Sequence, residues 1–148
     1  MVFKNRWGAL ATAHDNLPLA SYAAYVAEED GGFLIHVSRL ARHTVNLLEN
    51  SHASLAISEA DSGDGDPQRL ARVTLQGAVI EVPRDSESYP QARAQYLKAL
   101  PDAQQLFGFA DFILFRFVVE QVRFVAGFGK SYTLSSETLQ RLRQHYIR

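Results

Sequence analysis

The sequence contains no cysteine, carries a formal net charge of only −1, and has no apolar run of the roughly 18 residues that a membrane span needs. The absence of cysteine excludes disulfides, zinc–thiolate sites, iron–sulfur clusters and thiol catalysis. A chain this close to neutral lacks the basic surface typical of nucleic-acid binders, so we expect no nucleic-acid partner. Its first residues, MVFKNRWGALATAH, lack the long apolar segment of a secretory signal. We therefore expect a cytoplasmic protein with no membrane partner.

Segments typical of β-strands dominate the chain, whose 148 residues fit a single domain. They are Trp7–His14, Leu19–Val26, Phe33–Ser38, Ala53–Glu59, Arg72–Val82 and Phe112–Val125. Gly77 interrupts the alternation of the fifth segment and predicts a bulge or bend in the sheet. The last segment predicts one long strand, or two strands with a kink near Glu120.

Fewer segments have helical spacing. A helix is predicted directly after Ser38, with that serine as its N-cap. Its apolar face would be formed by Leu40, Thr44, Leu47 and Leu48. Two more helices are predicted over Pro90–Leu100 and Thr138–Ile147. Because strands dominate and most connections are short, the pattern favours a mainly β protein, an antiparallel barrel or sandwich with peripheral helices.

Several familiar motifs are absent. GFGKS at 127–131 lacks the earlier glycine of a phosphate-binding P-loop, and Tyr132 stands where a dinucleotide fingerprint needs its third glycine. The acidic stretch DSGDGD lacks the ligand spacing of an EF-hand. The five histidines are scattered without ligand spacing, so we expect no metal site. His36, near the end of a predicted strand, is expected to be a half-buried surface residue.

The most informative feature is a basic stripe just after the third predicted strand. Its members, spaced to share one helix face, are Arg39, Arg42, His43 and Asn46. Cations at a helix N-terminus are unfavourable by roughly 0.3–1 kcal/mol, because the helix dipole is already positive there. An anion would reverse that penalty, since it would meet backbone N–H groups, an arginine, an imidazole and the hydroxyls of Ser38 and Thr44. The stripe therefore indicates either a phosphate site or an ordinary solvated helix face.

Two further cations lie elsewhere in the sequence. Arg72 opens a predicted strand, where it is either a cation with an anionic or polar partner or an arginine at the edge of a sheet. Lys130 follows two flexible glycines in GFGK, which is otherwise a plain turn after a long strand.

Together these pieces resemble the FMN-binding split barrel of the pyridoxamine-5'-phosphate-oxidase-related proteins, in particular their heme-utilisation branch. The likeness covers nearly the whole chain and runs through GALATAH (8–14), LPLASYAAYV (17–26), FLIHVSRLARHTVNLLENSHASLAI (33–57), ARVTLQGAV (71–79), FADFILFRF (109–117) and VRFVAGFGKSY (122–132). After the third strand the family pattern is close to S-x-L-A-x-H-T-x-N. The residues that match it are Ser38, Leu40, Ala41, His43, Thr44 and Asn46.

The resemblance implies a six-stranded antiparallel split β-barrel that forms a homodimer, with two FMN sites at the dimer interface. The FMN-binding residues it implies are Ser21, Ser38, Arg42, His43, Thr44, Asn46, Arg72 and Lys130. Those from Ser38 to Asn46 would hold the phosphate, and Ser21 would lie near the isoalloxazine ring. Lys130 would reach in from the partner subunit. A cation such as Arg72 near the ring would stabilise the reduced, anionic flavin.

The function that the resemblance implies is that of an FMN-dependent oxidoreductase acting on an unidentified small-molecule substrate. The alternative is a heme-binding or heme-degrading protein, in which His145 would be the heme ligand and Asp111 would support the chemistry. A third reading is a flavin-binding module without turnover. Val45 stands where many relatives have arginine, which leaves phosphate compensation to Arg42. The C-terminal substrate-binding segment of the pyridoxamine phosphate oxidases has no match here, so that activity is not expected.

Overall fold

A curled antiparallel sheet forms the body of the protein in the computed structural model, which describes residues 1–147. Its strands are β1 (Trp7–His14), β2 (Leu17–Ala24), β3 (Val26–Ala27), β4 (Phe33–Ser38), β5 (His52–Ser58), β6 (Arg72–Glu81), β7 (Phe112–Val125) and β8 (Ser131–Ser135). They lie in the order β2-β1-β5-β6-β7-β4-β3, and β8 pairs with β7. The mainly β, antiparallel architecture expected from the sequence is confirmed. The expected number of six strands is wrong, since the described residues form eight.

The two additional strands have local causes. The segment predicted as one strand over Leu19–Val26 breaks at Tyr25, whose backbone N–H donates to the carbonyl of Arg6 at 3.0 Å. It therefore divides into β2 and β3. The strand β8 has no apolar alternation to reveal it, because four of its five residues are exposed. It folds back onto β7 through a turn in which Gly127 and Gly129 both have positive φ.

The long strand β7 pairs with three neighbours. Its first half pairs with β4, its second half pairs with β8, and β6 runs along both halves. The register with β6 shifts between Gln76 and Gly77, which leaves Glu120 without a partner residue on β6. A Cβ at position 77 would lie 1.9 Å from the carbonyl oxygen of Val118, so only glycine permits this approach. The predicted bulge at Gly77 is thereby confirmed.

The helices lie at the periphery of the sheet. They are α1 (Arg42–Glu49), α2 (Tyr89–Ala99) and α3 (Ser136–Ile147), with short 3₁₀ segments at Pro67–Arg69 and Pro101–Gly108. The prediction that Ser38 caps the first helix is wrong: the N-cap is Ala41, and it makes no side-chain capping bond. Leu40, expected on the apolar face, precedes the helix and is 86% exposed. Within residues 1–147, no helix is both long enough and apolar enough to cross a membrane.

Two apolar clusters hold these elements together. The larger one fills the concave side of the sheet, with Leu10, Phe33, Leu55, Leu75 and Phe117 fully buried. In the smaller one, α2 and the following 3₁₀ segment pack against β4 through Tyr96, Phe107 and Leu34. The strand β4 is consequently buried on both faces, which explains its nearly continuous apolar sequence FLIHV. This packing fixes the end of β4 and the start of α1, where the candidate site lies.

Candidate functional site

A groove of about 430 Å³ opens beside the start of α1. Its walls come from β1, β2, β4 and the 3₁₀ segment that follows α2. The lining includes Trp7, Tyr22, His36, Ser38, His43, Leu106 and Phe112. Its volume lies within the range of about 300–1,000 Å³ that is usual for small-molecule sites. It is aromatic on several sides and contains two of the predicted site residues, Ser38 and His43.

Ser21 and His43, predicted separately from β2 and α1, are in contact. The Oγ of Ser21 lies 3.0 Å from the Nδ1 of His43. Burial lowers the pKa of His43, so its imidazole is neutral at pH 7. When Nδ1 donates to Ser21, Nε2 retains its lone pair. That Nε2 is buried and has no hydrogen-bond partner in the described chain.

His36 is a second imidazole in the same groove, and it is more deeply buried than His43. It is 6% exposed and stacks on Phe107, with ring centroids 3.8 Å apart and planes at 9°. Burial, and then the positive charge of Arg84, lowers the pKa of His36 to about 4. Neither ring nitrogen has a hydrogen-bond partner among the described residues. The expectation of a half-buried surface residue is therefore wrong. The signal that could have corrected it is the apolar run around His36, which is typical of a strand covered on both faces.

Ser38 contacts a carboxylate. Its Oγ donates to Asp111 Oδ2 at 2.6 Å and accepts the N–H of Leu40 at 3.1 Å. The backbone carbonyl of Asp111 also accepts the N–H of Arg39 at 2.6 Å. These bonds tie the loop before β7 to the segment leading into α1. The Ser38 hydroxyl is thus already engaged by an anionic protein group, which leaves it less available to a phosphate.

The basic stripe does not form one surface. Asn46 is buried at 2% exposure, and its Nδ2 donates to Thr12 Oγ1 at 3.0 Å, which joins α1 to β1. Thr44 is fully buried. Arg39 lies 3.4 Å from the carboxylate of Glu81. Only Arg42 is exposed without a hydrogen-bond or ion-pair partner in the described part of the chain. The expectation of a single polar stripe facing solvent is therefore wrong.

Arg72 and Lys130 lie outside the groove within one chain. The Nη1 of Arg72 donates to the carbonyls of Gln68 at 3.1 Å and Leu70 at 3.2 Å. Arg72 lines a separate cavity of about 460 Å³ whose lining also includes Tyr22. Lys130 is exposed in the turn between β7 and β8. Because Tyr22 lines both cavities, the two are neighbours.

His145 does not line the groove. It is exposed on α3, and within the described chain the imidazoles that line the groove are those of His36 and His43. These two histidines are the functional candidates that sequence reasoning assigned to other roles.

The fold and the groove define a split β-barrel protein, and the chain belongs to the family described as CREG, beta-barrel, whose family model matches residues 1–140. The split-barrel relationship and the heme-utilisation branch expected from the sequence are confirmed. The chain is 34% identical over 126 residues to the heme oxygenase HutZ of Vibrio cholerae. The match covers 82% of this chain and 69% of that relative.

Two solved structures place the fold among its neighbours. A heme binding protein from Mycobacterium smegmatis is 30% identical, with a TM-score of 0.82, and the match covers 93% of this chain. The chain spans only 55% of the length of that protein. A more distant match, a candidate pyridoxamine 5'-phosphate oxidase from Listeria innocua, has a TM-score of 0.60 at 18% identity and supports the fold alone.

Proposed function

We propose that this protein binds heme in the groove beside α1 and degrades it. One observation carries the proposal: the groove is lined by two uncharged imidazoles, those of His36 and His43, whose buried ring nitrogens include atoms without a hydrogen-bond partner among the described residues. The heme oxygenase HutZ, at 34% identity, supports the same reading. The proposal gives heme, the alternative expected from the sequence, precedence over FMN.

The chemistry of the groove suits heme. Heme is broad, flat and largely apolar, and its iron takes a neutral imidazole as an axial ligand. The aromatic side chains of Trp7, Tyr22 and Phe112 would contact the ring, and His36 or His43 would offer the imidazole. Arg6 lines the groove, so its guanidinium group would be near the heme propionates.

The protein's own groups would prepare the site in two ways. Ser21 would hold the His43 ring in one orientation, in the manner of the outer hydrogen bond that usually fixes a ligating histidine. The bond between Ser38 and Asp111 would keep the loop before β7 against the groove wall. When bound, heme would supply the oxygen-activating iron, while dioxygen would be the oxidant and an external reductant would supply the electrons, so the protein itself needs no further redox group.

A hemin titration tests the proposal. We expect saturation at about one hemin per chain with a sharp Soret band, followed by loss of that band on adding ascorbate in air. His36→Ala or His43→Ala should shift the band, whereas the matched variant His145→Ala should leave it unchanged. A shift of the band seen only in His145→Ala would show that the imidazole ligand comes from α3, and it would contradict the proposed groove. Failure to bind hemin would contradict the function itself.

A second candidate is supported by the start of α1. The helix has no side-chain cap and no acidic residue in its first turn, and Arg42 there has no partner in the described chain. Such a helix end can bind a phosphate, as in an FMN-dependent oxidoreductase or a flavin-binding module without turnover. Arg42→Ala should then weaken FMN about tenfold or more while leaving riboflavin unchanged. Equal affinity for both flavins in the wild type would remove this candidate. Stopped-flow reduction of bound FMN by NADPH would separate an enzyme from a module.

We also propose that the protein is a homodimer joined through the outer face of the sheet. On this face the register aligns three small side chains, those of Ala9, Ala56 and Thr74, in one row across β1, β5 and β6. Small side chains allow two sheets to approach closely. A partner seated there would cover the cavity that contains Arg72, which adjoins the groove at Tyr22. Lys130 of a partner could reach the groove in the same way.

Sedimentation tests the dimer. Ala56→Glu should place a charge at the centre of the interface and give monomers at concentrations where the wild type is dimeric. Gln105→Glu, an equal charge change on the exposed 3₁₀ segment, should leave the dimer intact. A monomeric wild type would contradict this part of the proposal.

A further inference from the structure

Two aromatic rings stand largely uncovered at the mouth of the groove. Trp7 and Tyr22 stack on each other, with centroids 5.5 Å apart and planes at 18°. They remain 58% and 62% exposed. Mutual stacking occupies one face of each ring and leaves the other open. Large apolar side chains exposed together in this way mark a surface that binds something.

The sheet register holds this pair in place. Tyr22 lies opposite Ala9, and Trp7 lies opposite Ala24, on the adjacent strands β1 and β2. Strands, unlike loops, hold side chains at fixed spacing, so the stacked geometry is built into the fold. The site therefore requires no rearrangement to present a flat aromatic surface.

The neighbouring groups indicate what this surface binds. Trp7 and Tyr22 line the same groove as His36 and His43, whose unpartnered ring nitrogens suit a metal centre. A flavin offers those nitrogens no metal, whereas an iron tetrapyrrole offers both a metal and a broad aromatic face. Offset stacking between such flat π-systems is favourable.

We propose that Trp7 and Tyr22 form a stacking platform for the ring of a planar tetrapyrrole in this groove. This inference rests on the proposed heme function and specifies how its ligand is positioned. The platform acts on the macrocycle itself, so its contribution does not depend on iron. Iron-free protoporphyrin IX therefore isolates stacking from iron ligation.

Binding of protoporphyrin IX and hemin, each followed by absorption titration, tests the platform. Trp7→Ala and Tyr22→Ala should each weaken protoporphyrin about tenfold, whereas Trp7→Phe and Tyr22→Phe should stay within about twofold of wild type. Phe128→Ala is the matched control, because Phe128 is 80% exposed in the β7–β8 turn, away from the groove lining. Tyr22→Leu keeps the apolar bulk and removes only the ring, so it serves if an alanine variant does not fold.

The outcomes separate this inference from the proposed function. Wild-type binding of hemin with full protoporphyrin affinity in Tyr22→Leu and Trp7→Ala would overturn the platform and leave the heme function standing. Binding of neither ligand by the wild type would overturn both. Ala56→Glu, which should dissociate the dimer while both rings remain, separates stacking from subunit contact. A loss of protoporphyrin affinity in Ala56→Glu equal to that in Tyr22→Leu would overturn the platform, because the loss would then follow from dissociation.

Discussion

At the scale of single residues, the two groove histidines show how burial sets charge. His36 and His43 are both neutral at pH 7, because their surroundings stabilise the charged form less than water does. The sequence singles out His43 as part of the basic stripe, but it does not indicate the charge state of either residue. Burial keeps both rings uncharged: His36 is packed against Phe107, and in His43 the contact with Ser21 leaves only Nε2 without a partner among the described residues.

His36 should make stability depend on pH. Its pKa is lowered from 6.5 to about 4 on folding, so between these values the unfolded chain binds more protons. The contribution of His36 to the free energy of unfolding is therefore fully present above about pH 6.5 and is lost as the pH falls toward 4. One pKa unit corresponds to about 1.4 kcal/mol, so with allowance for the open groove the loss should be about 2–3 kcal/mol. Urea unfolding at pH 7 and pH 4 measures it.

Other groups titrate in the same range, so variants isolate the contribution of His36. His36→Phe should reduce the difference in unfolding free energy between the two pH values. His52→Phe, which replaces an exposed histidine, should retain the wild-type difference. Equal pH dependence in all three proteins would show that His36 does not titrate as described.

At the scale of elements, the bulge between β6 and β7 depends on one glycine. A methyl group at Gly77 would meet the Val118 carbonyl at 1.9 Å, and backbone cannot yield as a side chain does. We expect Gly77→Ala to lower the free energy of unfolding by about 3 kcal/mol or more. Gly108→Ala, where nothing lies within 4 Å of the added carbon, should change it little. Comparable urea midpoints for the two variants would contradict the bulge geometry.

A half-buried ion pair joins the end of β3 to β7. Arg116 donates to both carboxylate oxygens of Glu28, at 2.7 and 2.8 Å, and Glu28 is only 4% exposed. Arg116→Met would leave the buried Glu28 carboxylate unpaired and should lower the free energy of unfolding by about 3–5 kcal/mol. Adding Glu28→Gln in a double variant removes that charge and should restore much of the loss. Arg39→Met, which removes the exposed contact with Glu81, should cost less than about 1 kcal/mol. Thermal unfolding of the four proteins gives the comparison, and a cost for Arg116→Met as small as that for Arg39→Met would contradict it.

At the scale of the whole molecule, local patterns predicted most of the fold. The bounds of β1, β4 and β7 follow from alternating or continuous apolar residues and from flanking turns. The weakly patterned β8 escaped prediction because four of its five residues are exposed, which leaves no apolar alternation. The start of α1 was misplaced because Ser38 bonds to Asp111, a residue far away in sequence, instead of capping the helix.

The candidate site was predicted only in part. The family pattern identified Ser21, Ser38 and His43, which the structure brings to one groove or its wall. It favoured FMN because a phosphate would explain cations at the start of a helix. Two features of the folded chain favour heme instead: the Ser38 hydroxyl is engaged by a carboxylate, and His36 is buried in the groove. The bond to Asp111 has no local sequence signal, because it joins distant segments, whereas the only sequence signal for the burial of His36 is the apolar run around it.

The most direct test of the heme function is a competition between the two ligands. Purified protein is mixed with equal amounts of hemin and FMN and passed through a gel-filtration column, and the absorption spectrum of the protein fraction is recorded. We predict about one hemin per chain with a sharp Soret band, and FMN eluting separately. FMN retained with the protein while hemin elutes separately would contradict the account.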